Sequence, residues 1–282
     1  MGDFSSATSG RCHGLLHSGP HEREPLLAAA VRRAFEVPDA VCHSLLLAGS
    51  LERAAHARGA ALLPFHKLAA FHVSGGRVTG ATVTELRSGR SLTVRCRLVV
   101  NAAGPWAGEI ASQAGIALQM DLSRGAMVAF RGRLVRSAVQ RLRPPGDADA
   151  VLPRGKVTIA GTTEVPTLDP SDRRIEAWET QAITEGLAEI LPGLREAQVA
   201  HAWSAVRPLL DPRGRSEGAD ARTWSRGFTV LDHAESHSVE GIVTVVGGKL
   251  ATFCLMAEKA GDLACRKFGV RAACLTADTP ID

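Results

Sequence analysis

The 282-residue sequence contains no tyrosine, five lysines and no long hydrophobic run. Its longest apolar stretches, such as residues 98–103, have the length of a strand, so no membrane-spanning helix is predicted. The 33 lysines and arginines against 29 acidic residues give a net charge of +4, which is too small for a dedicated nucleic-acid-binding protein. The first five residues have neither a basic segment nor an apolar core, so no signal peptide is predicted.

The six cysteines are scattered and include no C-x-x-C pair, a pattern that fits neither a zinc site nor a disulfide framework. We therefore expect reduced thiols in a cytoplasmic protein. Hydrophobic residues make up 45% of the chain and charged residues 22%, so a packed core is expected and disorder is not. At roughly 150 residues per domain, the length predicts one large domain or two intertwined domains.

Hydrophobic periodicity predicts the main secondary structure. Short alternating stretches in residues 60–97, broken by Gly75-Gly76 and Ser88-Gly89, are typical of β-hairpins. Apolar residues at helical spacing predict several helices, one of which carries Ile183 and Leu187 on a single face. The predicted helices span residues 26–35, 44–59, 175–191 and 250–268.

The strongest local pattern for binding lies near the carboxyl end of the chain. A continuous apolar strand at residues 242–246 is followed by Gly247-Gly248-Lys249 and then by the last long helix. Paired glycines permit close approach of a ligand to the backbone, and the first N–H groups of a helix attract an anion. Lys249 adds a cation, so the turn is a candidate anion site. An ordinary strand–helix turn with a surface lysine fits the same pattern.

A second apolar strand, at residues 98–101, runs into the small residues Ala102-Ala103-Gly104-Pro105. Ligands of α/β proteins bind at the carboxyl edge of the sheet, and small residues there leave room for a flat ligand. The same residues also fit a tight contact between a helix and a strand. The pattern therefore indicates either a ligand site or close packing.

Two further sets of polar residues are candidates for substrate chemistry. Arg207 and Arg226 lie among apolar or small residues, and two guanidinium groups can clamp a phosphate or a carboxylate. His13 and His17 lie in a glycine-rich stretch at residues 9–19 and would suit proton transfer near neutral pH. Ordinary surface positions are the alternative for all four side chains.

Taken together and in this order, these segments resemble the FAD-dependent glycerol-3-phosphate dehydrogenases of the anaerobic large-subunit type, within the amino-acid-oxidase-like FAD-dependent oxidoreductases. The resemblance implies a mixed α/β fold. A truncated Rossmann-like FAD-binding domain would comprise residues 1–114 and 227–282, and a mixed-sheet substrate domain would be inserted at residues 115–226. The matching stretches are residues 7–19, 99–106, 159–163, 206–209, 225–227, 231–233, 247–253 and 256–258.

The resemblance also implies an activity, the oxidation of sn-glycerol 3-phosphate to dihydroxyacetone phosphate with electrons passed toward quinone. His17 and Lys249 would be catalytic, and Arg207 and Arg226 would bind the substrate phosphate. The cofactor would be FAD, held by Ser9, Gly10, Arg11, His13, Gly14, Ala103, Gly104, Gly247, Gly248, Lys249, Leu250 and Thr252.

The sequence departs from the family's pattern at two places. The G-x-G-x-x-G turn and the acidic residue that bind the FAD pyrophosphate and ribose have no counterpart before Met1-Gly2-Asp3. Residues 20–40 replace a longer segment that opens with an Arg-Tyr pair. We therefore expect weak or no FAD binding by this chain alone.

The resemblance implies a small phosphorylated substrate and electron-transfer subunits at the inner face of the cytoplasmic membrane, where the chain itself would be peripheral. The missing nucleotide-binding segment predicts an oligomer or a complementing chain, and the small net charge predicts no nucleic-acid partner. Two other functions remain open. One is an FAD-dependent oxidoreductase of a hydroxy acid or an amino acid, because an arginine pair binds a carboxylate as readily as a phosphate. The other is a non-catalytic fragment that acts as an interaction module.

Overall fold

The computed structural model describes residues 13–15, 19–37, 40–144, 146–210 and 227–279. The helices are α1 (Pro20–Arg23), α2 (Ser44–Ala57), α3 (Ala107–Ser112), α4 (Ala177–Ala188), α5 (His233–His237) and α6 (Phe253–Phe268). The strands are β1 (His13–Leu15), β2 (Phe35–Glu36), β3 (His66–Ser74), β4 (Arg77–Glu85), β5 (Ser91–Arg95), β6 (Val99–Asn101), β7 (Asp121–Arg131), β8 (Val139–Gln140), β9 (Ala150–Arg154), β10 (Val157–Gly161), β11 (Val165–Thr167), β12 (Val199–Leu209), β13 (Phe228–Asp232) and β14 (Ile242–Gly247). Single 3-10 turns lie at Gly104–Trp106, Pro192–Leu194, Leu250–Thr252 and Thr276–Asp278.

The chain divides into two compact units. Unit 1 draws on Met1–Cys42, Arg124–Val165 and Asp172–Ala205, and unit 2 on His43–Ser123, Pro166–Ser171 and Val206–Asp282. The division into a cofactor domain (1–114 and 227–282) and a substrate domain (115–226) stays a prediction. Within the part of the chain that the structure describes, no helix is both long and apolar enough to cross a bilayer.

Unit 1 is built around a sheet in which α4 covers an apolar face. The strand order is β11-β7-β10-β9-β8, with β12 also paired to β7. Ile183 and Leu187 of α4 are fully buried and join Val128, Phe130 and Val151 in one apolar core. The predicted helix near 175–191 is therefore confirmed, because its spacing of four residues places both side chains on the buried face.

The predicted helix at residues 26–35 is wrong. Residues 26–34 form turns and extended chain, and Phe35 lies in β2. The backbone N–H of Ala28 donates to the carbonyl of Ile190 at 2.8 Å, a partner far away in the sequence. This bond takes the place of the i−4 bond that a helix requires, so tertiary contact overrides the local preference.

Unit 2 contains two three-stranded sheets. Strands β3, β4 and β5 form an antiparallel meander, and the predicted turn at Gly75-Gly76 is confirmed with φ of +55° and +73°. In the other sheet, of order β13-β14-β6, β13 runs antiparallel to β14. Strand β6 runs parallel to β14, with Asn101 opposite Thr244. A small core of Val78, Ala111, Ala114, Ile116 and Ile242 lies in this unit.

Candidate functional site

The parallel pair β6 and β14 brings two of the predicted binding segments to one sheet edge. Because parallel strands in register end on the same side, the chain leaves both strands at their common carboxyl edge. After β6 it passes Ala103 into the 3-10 turn Gly104–Trp106 and helix α3. After β14 it passes Gly248 and Lys249 into the 3-10 turn Leu250–Thr252 and helix α6. Two helical beginnings therefore follow the strand ends where ligands of α/β proteins bind.

The glycine pair at the end of β14 is required by the protein's own packing. Gly247 and Gly248 have φ of +80° and +81°, which disfavours any other residue. A Cβ on Gly247 would lie 2.6 Å from the carbonyl oxygen of Gly227, and a Cβ on Gly248 would lie 2.5 Å from Sδ of Met256. The atoms that crowd these two glycines belong to the protein, and close approach of a ligand to this turn stays a prediction. Lys249 is exposed at the same corner.

The turn after β6 has open space at Gly104. Gly104 has a φ of +57°, and no atom lies within 4 Å of the position of a Cβ built on it. Two hydrogen bonds of the Asn101 side chain hold this turn. Its Oδ1 accepts from the backbone N–H of Ala103 at 3.2 Å, and its Nδ2 donates to the carbonyl of Ala107 at 2.9 Å. The space at the Cβ position of Gly104 is therefore open, and binding of a flat ligand there stays a prediction.

Two cavities lie in the described part of unit 2. One, of about 280 Å³, is lined by Phe228 of β13 and by Lys259 and Arg266 of α6, among others. The other, of about 250 Å³, is lined by Arg97, Lys267 and neighbouring residues. Neither lining includes Gly104, Gly247 or Gly248.

A buried histidine lies beneath the same sheet edge, and sequence reasoning gave it no role. His233 begins α5 and is fully buried. Its Nε2 lies 2.7 Å from Oγ1 of Thr244, and its Nδ1 lies 3.1 Å from Nδ1 of His237. Burial and the nearby His237 lower the pKa of His233, while Asp232 raises it, and the balance is a lowered pKa. The sequence signal was the position of His233 directly after the half-buried strand β13.

Unit 1 contains a buried ionic cluster that the sequence did not predict. Nη1 of Arg124 donates to Oε2 of Glu179 at 2.6 Å and to the carbonyl of Arg174. Nε of Arg124 lies 3.4 Å from Oδ2 of Asp172. The side chains of Arg124, Asp172 and Glu179 are 1%, 2% and 0% exposed. The three form a continuous charged cluster inside the unit.

The partners of the two carboxylates keep them ionised. The side chain of Arg174 is the main cause of a pKa of Asp172 well below its ordinary value, with Arg124 adding to it. Burial raises the pKa of Glu179, but hydrogen bonds from the Glu176 backbone, Thr163 and Arg124 outweigh burial and leave the pKa lowered. The cluster therefore carries one buried cation shared between two buried anions.

The remaining predicted site residues lie in different parts of the chain, and some of them lie outside the described residues. Arg207 lies in β12, is partly buried, and places Nη1 3.4 Å from Oγ of Ser123. His13 and Gly14 lie in β1, which pairs with β2 in unit 1. Ser9, Gly10, Arg11, His17 and Arg226 lie outside the described residues. Leu250 and Thr252 occupy the 3-10 turn before α6, where the hydroxyl of Thr252 donates to the carbonyl of Lys249 at 2.9 Å.

Comparison with known proteins gives a family and named relatives. A family model described as FAD dependent oxidoreductase matches residues 18–253. An anaerobic glycerol-3-phosphate dehydrogenase subunit of Haloferax volcanii is 36% identical over 269 residues, which cover 92% of this chain and 46% of the relative. The relative of the same enzyme name in Escherichia coli K12 is 33% identical over 261 residues, covering 90% and 47%. The chain thus spans about half the length of these curated relatives.

A solved structure has the same fold. The glycerol-3-phosphate dehydrogenase of Bacillus halodurans, complexed with FAD, aligns with a TM-score of 0.75 at 24% identity, covering 91% of this chain and 50% of that chain. At this identity the likeness shows the fold alone. The predicted mixed α/β class of Rossmann-like type is thereby confirmed.

Proposed function

This chain belongs to the FAD dependent oxidoreductase family, and on that premise we propose that it binds FAD and serves in the oxidation of sn-glycerol 3-phosphate to dihydroxyacetone phosphate. The observation that carries the proposal is the meeting of two turns, at Gly104 and at Gly247-Gly248, on the carboxyl edge of the parallel pair β6 and β14. The names of the relatives support the choice of substrate.

The residues at this edge fit a flat, negatively charged cofactor. The open space above Gly104 admits a planar group, and the exposed ammonium of Lys249 favours an anion. The unpaired N–H groups at the beginning of the helical segment after Lys249 add a partial positive charge. When bound, FAD supplies a two-electron acceptor, the cofactor chemistry of the family. The residues of the described edge that would hold it are Ala103, Gly104, Gly247, Gly248, Lys249, Leu250 and Thr252.

The substrate half of the proposal rests on charged and titratable side chains. Arg207 would bind the phosphate with its planar guanidinium group, which matches phosphate geometry in a bidentate manner. Arg226 would complete that clamp, and His17 would take the hydroxyl proton. Lys249 would steady negative charge at the reacting centre. The amino-terminal residues Ser9, Gly10, Arg11, His13 and Gly14 belong to the cofactor part of the same proposal.

The partner proposal follows from the names of the relatives. Both are designated as subunits of an anaerobic dehydrogenase. We therefore propose electron-transfer subunits at the inner face of the cytoplasmic membrane as the onward acceptors toward quinone. A second chain, or a second copy, would complement the site in this assembly.

Flavin absorbance tests the proposal directly. The purified chain is soaked with FAD, freed of unbound cofactor and scanned in the visible range, where flavin absorbs and protein does not. Anaerobic addition of glycerol 3-phosphate should then bleach the flavin band, and addition of 2-hydroxyglutarate should not. Bleaching by 2-hydroxyglutarate alone would favour a hydroxy-acid oxidoreductase. Protein that retains no flavin would favour a non-catalytic interaction module.

A further inference from the structure

A continuous chain of hydrogen bonds runs from the Gly104 turn to His237 through the interior of unit 2. Nδ2 of Asn101 lies 3.3 Å from Oγ1 of Thr244, which lies 2.7 Å from Nε2 of His233. Nδ1 of His233 lies 3.1 Å from Nδ1 of His237. Asn101, Thr244 and His233 are 3%, 0% and 0% exposed, so water does not compete for these bonds.

The chemistry of the donors fixes the direction of the first bond in this series of hydrogen bonds. The amide nitrogen of Asn101 only donates, so Oγ1 of Thr244 accepts from it. In the arrangement that we propose, the single proton of the Thr244 hydroxyl goes to Nε2 of His233, 2.7 Å away. The neutral ring of His233 would then carry its proton on Nδ1, which lies 3.1 Å from Nδ1 of His237.

Asn101, the first residue in this series of hydrogen bonds, also holds the turn that the proposed function assigns to the cofactor. Asn101 uses its second amide proton on the carbonyl of Ala107 and its oxygen on the N–H of Ala103. The three hydrogen bonds of the Asn101 amide thus join Thr244 to the backbone around Gly104. Rotation of the Asn101 amide would break these bonds together.

We propose that His233 is a positioning residue that, through Thr244 and Asn101, holds the Ala103–Gly104 turn in the form that accepts FAD. The inference rests on the proposed function for its cofactor and on the hydrogen-bond chain for its mechanism. Protonation of His233 would direct an N–H group at the Thr244 hydroxyl and remove the acceptor of its proton. The hydrogen bond between Thr244 and His233, which helps to hold the turn, is then weakened.

The charged and titratable surroundings of His233 agree with a neutral ring. His237 in α5 is the nearest titratable group, and its Nδ1 also lies 2.6 Å from Oγ of Ser236. Asp232, at the end of β13, is engaged by Lys267 of α6 at 2.7 Å, so part of its charge is compensated. The lowered pKa of His233 is consistent with this arrangement.

Hydrogen exchange of the Ala103 backbone amide measures the turn directly, and the experiments use the full polypeptide chain. Nitrogen-15 NMR of the imidazole should show the Nδ1–H tautomer of His233 at neutral pH. The His233→Leu variant should exchange the Ala103 amide on the order of tenfold faster than the wild type, with little change at Val83 in β4. His233→Gln, whose side-chain oxygen can accept from Thr244, should restore slow exchange. His56→Leu, on the exposed side of α2, is the matched control and should change neither amide.

The outcomes separate positioning from simple stability. If His233→Leu does not fold, Thr244→Val, which keeps the size of the side chain, should give the same rise in exchange at Ala103. An Nε2–H tautomer, or equal acceleration at Ala103 and Val83, would overturn the proposal. FAD titration adds a second readout, in which Thr244→Val should weaken binding on the order of tenfold.

The FAD titration also separates the two proposals. Unchanged affinity for FAD in Thr244→Val, together with faster exchange at Ala103, would remove the link to the cofactor. If the wild type binds no FAD, the proposed function fails, and the exchange results still decide whether His233 holds the turn.

Discussion

The replacement Arg124→Met should unfold unit 1 more easily by about 3–5 kcal/mol, because it removes the cation from a buried cluster and leaves two anions behind. Arg124 donates to Glu179 at 2.6 Å and to the Arg174 carbonyl, and it lies 3.4 Å from Asp172. Methionine fills much of the same volume, so a packing defect contributes little. The loss is mainly the cost of leaving Glu179 buried without its cation, because Asp172 keeps Arg174 at 2.8 Å.

Urea denaturation at neutral pH measures this difference, and a surface ion pair provides the control. Arg195 and Glu185 are joined at 2.9 Å but are 51% and 54% exposed. Arg195→Met should therefore cost at most about 1 kcal/mol. Adding Glu179→Gln to Arg124→Met should recover part of the loss, since one uncompensated charge is gone.

The pH dependence has a definite sign. The pKa values of Asp172 and Glu179 are lowered in the folded state, so the stability that these groups contribute is complete above their unfolded values, near pH 4, and is lost as pH falls through the folded values. In Arg124→Met the carboxyls protonate more readily, so the deficit against the wild type should shrink toward pH 4. A loss below 1 kcal/mol at neutral pH, or a deficit that grows with acid, would refute the reasoning.

Three further predictions concern unit 2. Gly248→Ala should lower the melting temperature and cost about 1–3 kcal/mol, since its Cβ would lie 2.5 Å from Sδ of Met256 at a positive φ; a melting temperature equal to that of the wild type would contradict this. The lowered pKa of His233 predicts that the wild type loses stability as pH falls below about 6.5, whereas His233→Leu should show a flatter profile of denaturation midpoints between pH 5 and 8. Arg207→Ala should raise KM for glycerol 3-phosphate by the equivalent of about 2–5 kcal/mol, and unchanged steady-state kinetics would remove Arg207 from the site.

Hydrophobic patterns along the sequence predicted the elements whose apolar residues follow the period of a helix or form a continuous strand. The spacing of Ile183 and Leu187 was sufficient for α4, because both side chains meet the same core. The continuous apolar runs predicted β6 and β14, which lie side by side. The helix expected at residues 26–35 failed because the N–H of Ala28 is bound by Ile190, and no local pattern contains that contact.

The candidate site was predictable in part for the same reason. Gly247-Gly248 could be identified because the pair directly follows an apolar run, and Gly104 because it lies among the small residues that follow another. The protein atoms that crowd Gly248, among them Sδ of Met256, could not be identified from the sequence, because tertiary packing brings them there. Arg124 and Glu179 are 55 positions apart, and only the fold brings the two side chains together.

Gly241 ties the meander of unit 2 to the strands that carry the candidate site. A Cβ at this position would lie 2.3 Å from the carbonyl oxygen of Val78, and the N–H of Val99 donates to the Gly241 carbonyl at 2.9 Å. An affinity tag or fluorescent label inserted here would push β4 away and misalign β6. The exposed hairpin tip at Ser88-Gly89, where a Cβ meets no atom within 4 Å, is the better place to insert one.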